Sequence, residues 1–277
     1  MALTADVSTQ AEKLGMRILS LLDLTSLGNR DAVEAEAIKK LLIEARQAPV
    51  LPATFCTWPE FLPLITHSNQ ESGISITPCA VVDFPYGRGT PDSVRNETFI
   101  ALANNAKEID IVMDYESMMR GNFRAVEEKL KAARDTVPAR NVLKVILETA
   151  AILPDTRMLR EAELLAIDCG ADFLKTSTGK HERGGASVEA VRSMLEAASE
   201  HEGRIVGVKA SGGIRTIAQA DAYIAMADKA YGREANKNLM RIGASRGLLD
   251  EVMFVLDGPS EHEGQRPGRN RQAVPGY

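Results

Sequence analysis

DFLKTSTGK, residues 172–180, enters as a buried strand would, through Phe173 and Leu174, and then sets Lys175 where the apolar run should continue. In a strand, residues two apart share a face, so Phe173, Lys175 and Ser177 point one way while Leu174 and Thr176 point the other. Small and hydroxylated residues follow before a second lysine, Lys180. The stretch therefore reads as a strand that carries one ammonium on an inner face and ends in a polar, glycine-containing turn.

Outward from it, short apolar runs alternate with amphipathic stretches along the whole chain, the βα rhythm of a parallel sheet. Strands are expected at residues 18–24, 50–56, 74–83, 108–114, 142–149, 172–178, 204–211 and 239–245. Helical patterns between them carry start and stop signals: one runs over residues 31–47, one opens on Pro91, and one begins at the capping Thr216 and closes on Gly232. Eight strands, each trailed by a helix, in about 250 residues match the count and size of a single-domain (β/α)8 barrel over residues 1–257. An open doubly wound sheet would carry a Gly-rich turn after its first strand, and LLDLTSLGNR (21–30) is not one. Residues 258–277, rich in Gly, Pro and charge, read as a flexible C-terminal tail.

The same alternation groups Asp110 with Val112 and Asp114, Lys144 with Ile146 and Glu148, and Gly207 with Lys209. The outer face of a barrel strand is covered by helices and must be apolar, so these charges belong inside, towards the C-terminal end. Strands six and seven are neighbours about 4.8 Å apart, which brings Lys175 and Lys209 close enough to feel each other. A partly desolvated ammonium beside another gives up its proton more easily and becomes a nucleophilic amine. Asp110 reads in two ways, as the neutralising member of an ion-pair network or as the proton shuttle that addition of an amine to a carbonyl requires. Lys144 alone reads equally well as a lysine whose stem merely packs.

Three clusters fall just after strands six, seven and eight: TSTGK (176–180), SGGIR (211–215) and GAS (243–245). Glycine N–H groups, hydroxyls and helix N-termini together make an anion site without a basic surface, and late-strand loops are a frequent phosphate position in such barrels. A phosphorylated small-molecule substrate is expected there.

Bulk properties narrow the alternatives. A net charge of -5 lacks the basic field that a general nucleic-acid or membrane-surface role needs. The three cysteines, Cys56, Cys79 and Cys169, are scattered in apolar segments and fit reduced thiols in the cytoplasm rather than disulfides or a CxxC site. The four histidines show no metal-ligand spacing, so metal catalysis is not expected, although carboxylates alone could still hold a magnesium ion; amine chemistry at a lysine needs no metal or cofactor. Neither a signal peptide nor a membrane span is expected from the apolar runs.

GADFLKTSTGK (170–180), GVKASGGIR (207–215), EIDIVMD (108–114), VLKVILET (142–149) and LLDLTSL (21–27) resemble the motifs of deoxyribose-phosphate aldolase, the class I aldolase of the DeoC family, in order and spacing from about residue 14 to 256. The resemblance implies a (β/α)8 fold and reversible cleavage of 2-deoxy-D-ribose 5-phosphate to acetaldehyde and D-glyceraldehyde 3-phosphate, in deoxyribonucleoside catabolism, by a possible homodimer. It implies that Lys175 is the Schiff-base lysine, Lys209 the neighbour that lowers its pKa, and Asp110 the proton-transfer carboxylate. Asp23, Lys144 and Cys56 match further positions near the reacting groups. Thr178, Gly179, Lys180, Gly212, Gly213, Gly243 and Ser245 match substrate and phosphate contacts, and Tyr277 matches the family's C-terminal tyrosine. Arg246 stands where the GASS pattern has its second serine, SGG replaces the alternative AGG, and the tail is longer than the family's. A lysine aldolase or transaldolase on another sugar phosphate, and a non-catalytic sugar-phosphate-binding barrel, are the other readings.

Overall fold

The computed structural model describes residues 2–257. Eight parallel strands, β1 (Leu22–Thr25), β2 (Thr54–Thr57), β3 (Thr77–Val82), β4 (Glu108–Val112), β5 (Val142–Ile146), β6 (Phe173–Lys175), β7 (Gly207–Ser211) and β8 (Met240–Ala244), close into one barrel in sequence order. The helices are α1 (Ala2–Leu21), α2 (Ala32–Gln47), α3 (Leu62–Ser72), α4 (Pro91–Ala103), α5 (Tyr115–Met119), α6 (Phe123–Thr136), α7 (Thr149–Ile152), α8 (Thr156–Asp168), α9 (Val188–Glu200), α10 (Ile217–Tyr231) and α11 (Arg246–Asp257). Each expected span overlaps one observed strand, and most of the strands are shorter than expected. The tail beyond residue 257 and Tyr277 lie outside the described residues.

The expected start and stop of α10 form, and Asp31 and Thr90 add two further N-caps. The Asp31 carboxylate accepts from the N–H groups of Val33 and Glu34, Thr90 caps α4 with Pro91 in its first turn, and Thr216 and Gln219 make a reciprocal capping box on α10, which ends on the left-handed Gly232.

The first strand is the clearest correction. Residues 18–21, expected as strand, are the last turn of α1, and only Leu22–Thr25 pair with β2 and β8. Ile18, Leu19, Leu21 and Leu22 are all buried, so the run is apolar on every face, and a short run of that kind does not betray its period. α1 lies on α11 at Gly15, where an added Cβ would meet Leu256 at 3.1 Å. A bidentate pair from Arg17 to Asp228, at 2.9 and 2.5 Å, ties it to α10.

Among the described residues no helix is long and apolar enough to cross a membrane. The apolar residues fill the space between strands and helices, and the barrel's inside carries charge.

Buried carboxylates also lie away from that interior, Glu163 among them. Glu163 on α8 is fully buried against α9, where the Ser193 hydroxyl donates to it at 3.0 Å, and burial pushes its carboxyl up to about 7. A folded-state value above the unfolded one stabilises the fold fully below pH 4.5 and loses that contribution as pH rises through about 7. The implied swing is on the order of 3 kcal/mol. Urea denaturation at pH 5 and pH 8 should therefore show Glu163→Gln gaining on the wild type by that order at the higher pH; a difference that does not change with pH contradicts the assignment.

Candidate active site

Strand alternation and register assemble the barrel's charged interior. On β4, Glu108 and Asp110 point inward; β5 supplies Lys144 opposite Asp110, and β6 and β7 supply Lys175 opposite Lys209. Asp23 comes from β1, and Arg241 from β8 beside Lys209. All seven side chains are buried.

Asp110 is the hub. Its Oδ2 accepts from Lys175 Nζ and from Lys209 Nζ, each at 2.8 Å, and its Oδ1 accepts from Lys144 Nζ at 2.9 Å. Lys209 also pairs with Asp23 at 2.6 Å, and Lys144 with Glu108 at 2.5 Å. Below them Arg241 joins Asp23 at 2.6 Å to Glu108 at 3.0 Å, its guanidinium lying 5.4 Å from the Phe173 ring centroid. Burial disfavours ionisation of Asp110, but Lys144, Lys175 and Lys209 outweigh it and hold the carboxyl well below its ordinary range. Burial likewise opposes charge on Lys209 and Lys144, and the carboxylates around them, Asp110 foremost, outweigh it and raise both. The set contains four cations and three carboxylates, one positive charge in excess.

Sequence reasoning had placed the two lysines charge against charge. The structure puts the Asp110 carboxylate between them, accepting from both. Asp114 and Glu148, expected in the same interior, are elsewhere: Asp114 caps α5 through the Ser117 N–H at 2.9 Å. Glu148 turns away at φ 54° and ψ 57°, a left-handed backbone that costs a non-glycine residue about 1–3 kcal/mol, and its carboxylate accepts from Thr178. Glu108 and Arg241 were missed, although the alternation that selects Asp110 selects Glu108, and the one that selects Gly243 selects Arg241.

Above this network opens a cleft of about 230 Å³. Lys175 is at its floor, only 3% exposed. Thr178, Gly179 and Lys180 line one side of it; Gly212 and Gly213 line the next, and Gly243 and Ser245 complete the rim. Gly212 and Gly213 have φ of 91° and 79°, successive left-handed glycines at the end of β7 that suit an exposed run of N–H groups. Gly243 has a second use: a Cβ there would come within 2.9 Å of Lys209 Cε, so the absent side chain makes room for the Lys209 stem. Arg246 is on the cleft edge and pairs with Glu44 of α2 at 2.6 Å. Burial lowers the Lys180 ammonium, against Glu34, which raises it.

Asp23, Lys144, Lys209 and Asp110 are thus beneath the cleft and only Lys175 of the network lines it. Cys56, matched by the resemblance to a position near the reacting groups, is also beneath it. It faces Cys79 in register across β2 and β3, and both thiols approach Asp110, at 4.0 and 3.2 Å. Burial pushes the Cys79 thiol up, while its contact with Cys79 lowers Cys56. These three side chains are the one group of possible metal donors among the described residues, all within 4.8 Å. A cation there would lie against the lysines that Asp110 already serves.

A closed barrel whose late-strand loops surround a lysine at the C-terminal mouth places the chain among the (β/α)8 barrel enzymes. The family profile described as DeoC/LacD family aldolase matches residues 22–249. The chain belongs to the DeoC/LacD aldolase family, and its class of activity is that of an aldolase, a carbon–carbon lyase. Among solved structures it is similar to a Coccidioides immitis protein provisionally named deoxyribose-phosphate aldolase, at 29% identity over 86% of this chain and 87% of that one, TM-score 0.71. Similarity in fold extends to a protein of the same provisional name from Toxoplasma gondii ME49, at 22% identity over 90% and 96%, TM-score 0.80. It extends also to the tetrameric deoxyribose phosphate aldolase of Aeropyrum pernix, at 24% identity over 90% and 96%, TM-score 0.67.

Removing the hub leaves three buried ammonium groups short of a partner, a change that typically costs ~3–5 kcal/mol. Urea unfolding of Asp110→Asn at pH 7 should show a loss of that order. The deficit should shrink at pH values below the ordinary carboxylate range, where the wild type loses its own contribution from Asp110. A loss under about 1 kcal/mol would mean that the interior does not depend on this carboxylate.

Proposed function

We propose that the chain is a Schiff-base aldolase that reversibly cleaves 2-deoxy-D-ribose 5-phosphate to acetaldehyde and D-glyceraldehyde 3-phosphate. The observation that carries this reading is that Lys175 alone among the interior cations opens into the cleft, next to a ring of glycines and hydroxyls suited to a phosphate. The free cysteines are compatible with a reducing cytoplasm, where deoxyribonucleoside breakdown would supply the substrate.

Addition to an aldehyde requires a neutral amine. One proton lost from the interior leaves three cations facing three carboxylates. Lys144 and Lys209 are held charged by their carboxylates and Arg241 is permanently charged, so Lys175, at the cleft, is the member left to supply the free amine. Its nitrogen adds to C1 of the open-chain sugar, giving a carbinolamine that loses water to become a protonated imine. Electrons of the C2–C3 bond flow into that imine as the C3 hydroxyl gives up its proton, releasing D-glyceraldehyde 3-phosphate and leaving an enamine. Protonation of the enamine carbon and hydrolysis then free acetaldehyde and restore the amine. Asp110, acting through a water, moves the protons, and Lys209 keeps positive charge beside the reacting nitrogen. The phosphate is held by the N–H groups of Gly179, Gly212 and Gly213 with Lys180 and Ser245.

Borohydride added with acetaldehyde should convert Lys175 to its N-ethyl derivative, located by peptide mass mapping, and Lys175→Ala should abolish both the adduct and cleavage of 2-deoxyribose 5-phosphate in the presence of a chelator. Labelling at another lysine, or turnover surviving in the alanine variant, contradicts the assignment. Profiling against fructose phosphates separates this substrate from those of other lysine aldolases and transaldolases. Tight sugar-phosphate binding without turnover would instead mark a non-catalytic barrel.

A further inference from the structure

We infer that Glu148 is a positioning residue of the anion cradle: its carboxylate fixes the Thr178 hydroxyl and, through it, the backbone N–H of Lys180. The inference rests on the reading of the cradle as a phosphate site. Glu148 follows β5 in a left-handed backbone conformation that glycine would adopt more easily, so a side chain kept there has a use at that position. It is fully buried and does not line the cleft, which separates it from the groups that would touch substrate.

Its hydrogen bonds run in one direction. Oε2 accepts the Thr178 N–H at 3.1 Å and also the Thr178 hydroxyl. Having given its hydrogen to Glu148, the hydroxyl oxygen accepts the Lys180 N–H at 3.0 Å. Between the two lies Gly179, at φ 77°. The turn that faces the cleft is therefore pinned from behind at both ends, by one carboxylate oxygen. The other oxygen, Oε1, is buried with no hydrogen-bond partner. The backbone of the same segment is joined to β6 by Leu147 N–H to Lys175 carbonyl and Thr149 N–H to Thr176 carbonyl, both 2.9 Å, so Glu148 sits where the lysine strand and the cradle turn meet.

Charge and geometry act in opposite senses here, which makes them separable. A carboxylate behind an anion site repels the anion; a carboxylate that shapes the turn favours it. Glu148→Gln keeps a carbonyl oxygen able to accept both Thr178 hydrogen bonds and removes the charge, whereas Glu148→Ala removes both.

Inorganic phosphate binding, measured by calorimetry on the full chain, should weaken about tenfold in Glu148→Ala, the scale of losing hydrogen bonds to a charged group, and should be equal to wild type or tighter in Glu148→Gln. KM for 2-deoxyribose 5-phosphate should rise in step in the alanine variant while kcat changes less, and the amides of Thr178 and Lys180 should exchange hydrogen faster. Should the alanine variant fail to fold, Thr178→Val, which breaks the relay at its middle, should give the same weakening. Phosphate binding in Glu148→Ala equal to or tighter than in wild type, or kcat falling with KM unchanged, overturns the positioning role while leaving the cradle intact. No phosphate binding by the wild type overturns the cradle and the inference together.

Discussion

Three ammonium groups from three consecutive strands converge on the carboxylate of Asp110, and much else in the interior follows from that meeting. A charge buried without a partner is intolerable in a barrel core, so Lys144, Lys175 and Lys209 need Asp110, while the rest of their charge is met by Asp23 and Glu108. Arg241 closes the set from below. The arrangement leaves one cation more than the carboxylates match. A core that only had to be stable would be better filled with apolar side chains of similar volume, and the proposed chemistry gives the unbalanced charge set a use at Lys175, the one member of that set lining the cleft.

The cleft and the network are built on the same few residues. β6 ends in Lys175 and its next turn lines the cleft, so the proposed reacting nitrogen and the proposed anion cradle are held a few residues apart on one short segment. The Thr176 hydroxyl bonds both the N–H and the carbonyl of Ser211 at 2.9 Å, joining the ends of β6 and β7, and Ser211 returns a bond to the Ser177 carbonyl at 2.6 Å. These ties set the two loops in register. Gly243 contributes at both levels, lining the cleft and clearing space for the Lys209 stem.

Much of this was legible in the sequence because period two is a strong constraint when one strand face is sealed by helices. Lys175, Lys209, Asp110 and Lys144 fall on inner faces by simple alternation, and the glycine turns mark where the strands end. Glu108 and Arg241 obey the same rule, each standing two residues before a position the alternation selects, Asp110 and Gly243. Other features were not readable. Residues 18–21 are apolar on every side and carry no period. The Glu148 side chain leaves the interior because of one backbone dihedral, which no pattern of residue types encodes. Cys56 and Cys79 look scattered until strand register sets them face to face, and the same register interposes a carboxylate between two lysines that proximity alone would set against each other.

The excess positive charge is the claim on which the chemistry depends, and one comparison tests it directly. The rate at which acetaldehyde and borohydride alkylate Lys175 at pH 7 should be measured in the wild type and in Lys209→Met, in preparations with matching circular dichroism. With Lys209 gone, three cations face three carboxylates and the excess charge is removed, so the rate should fall by about tenfold, a barrier change of ~1.4 kcal/mol. An unchanged rate would show that the balance of charge inside the barrel does not govern the reactivity of that nitrogen.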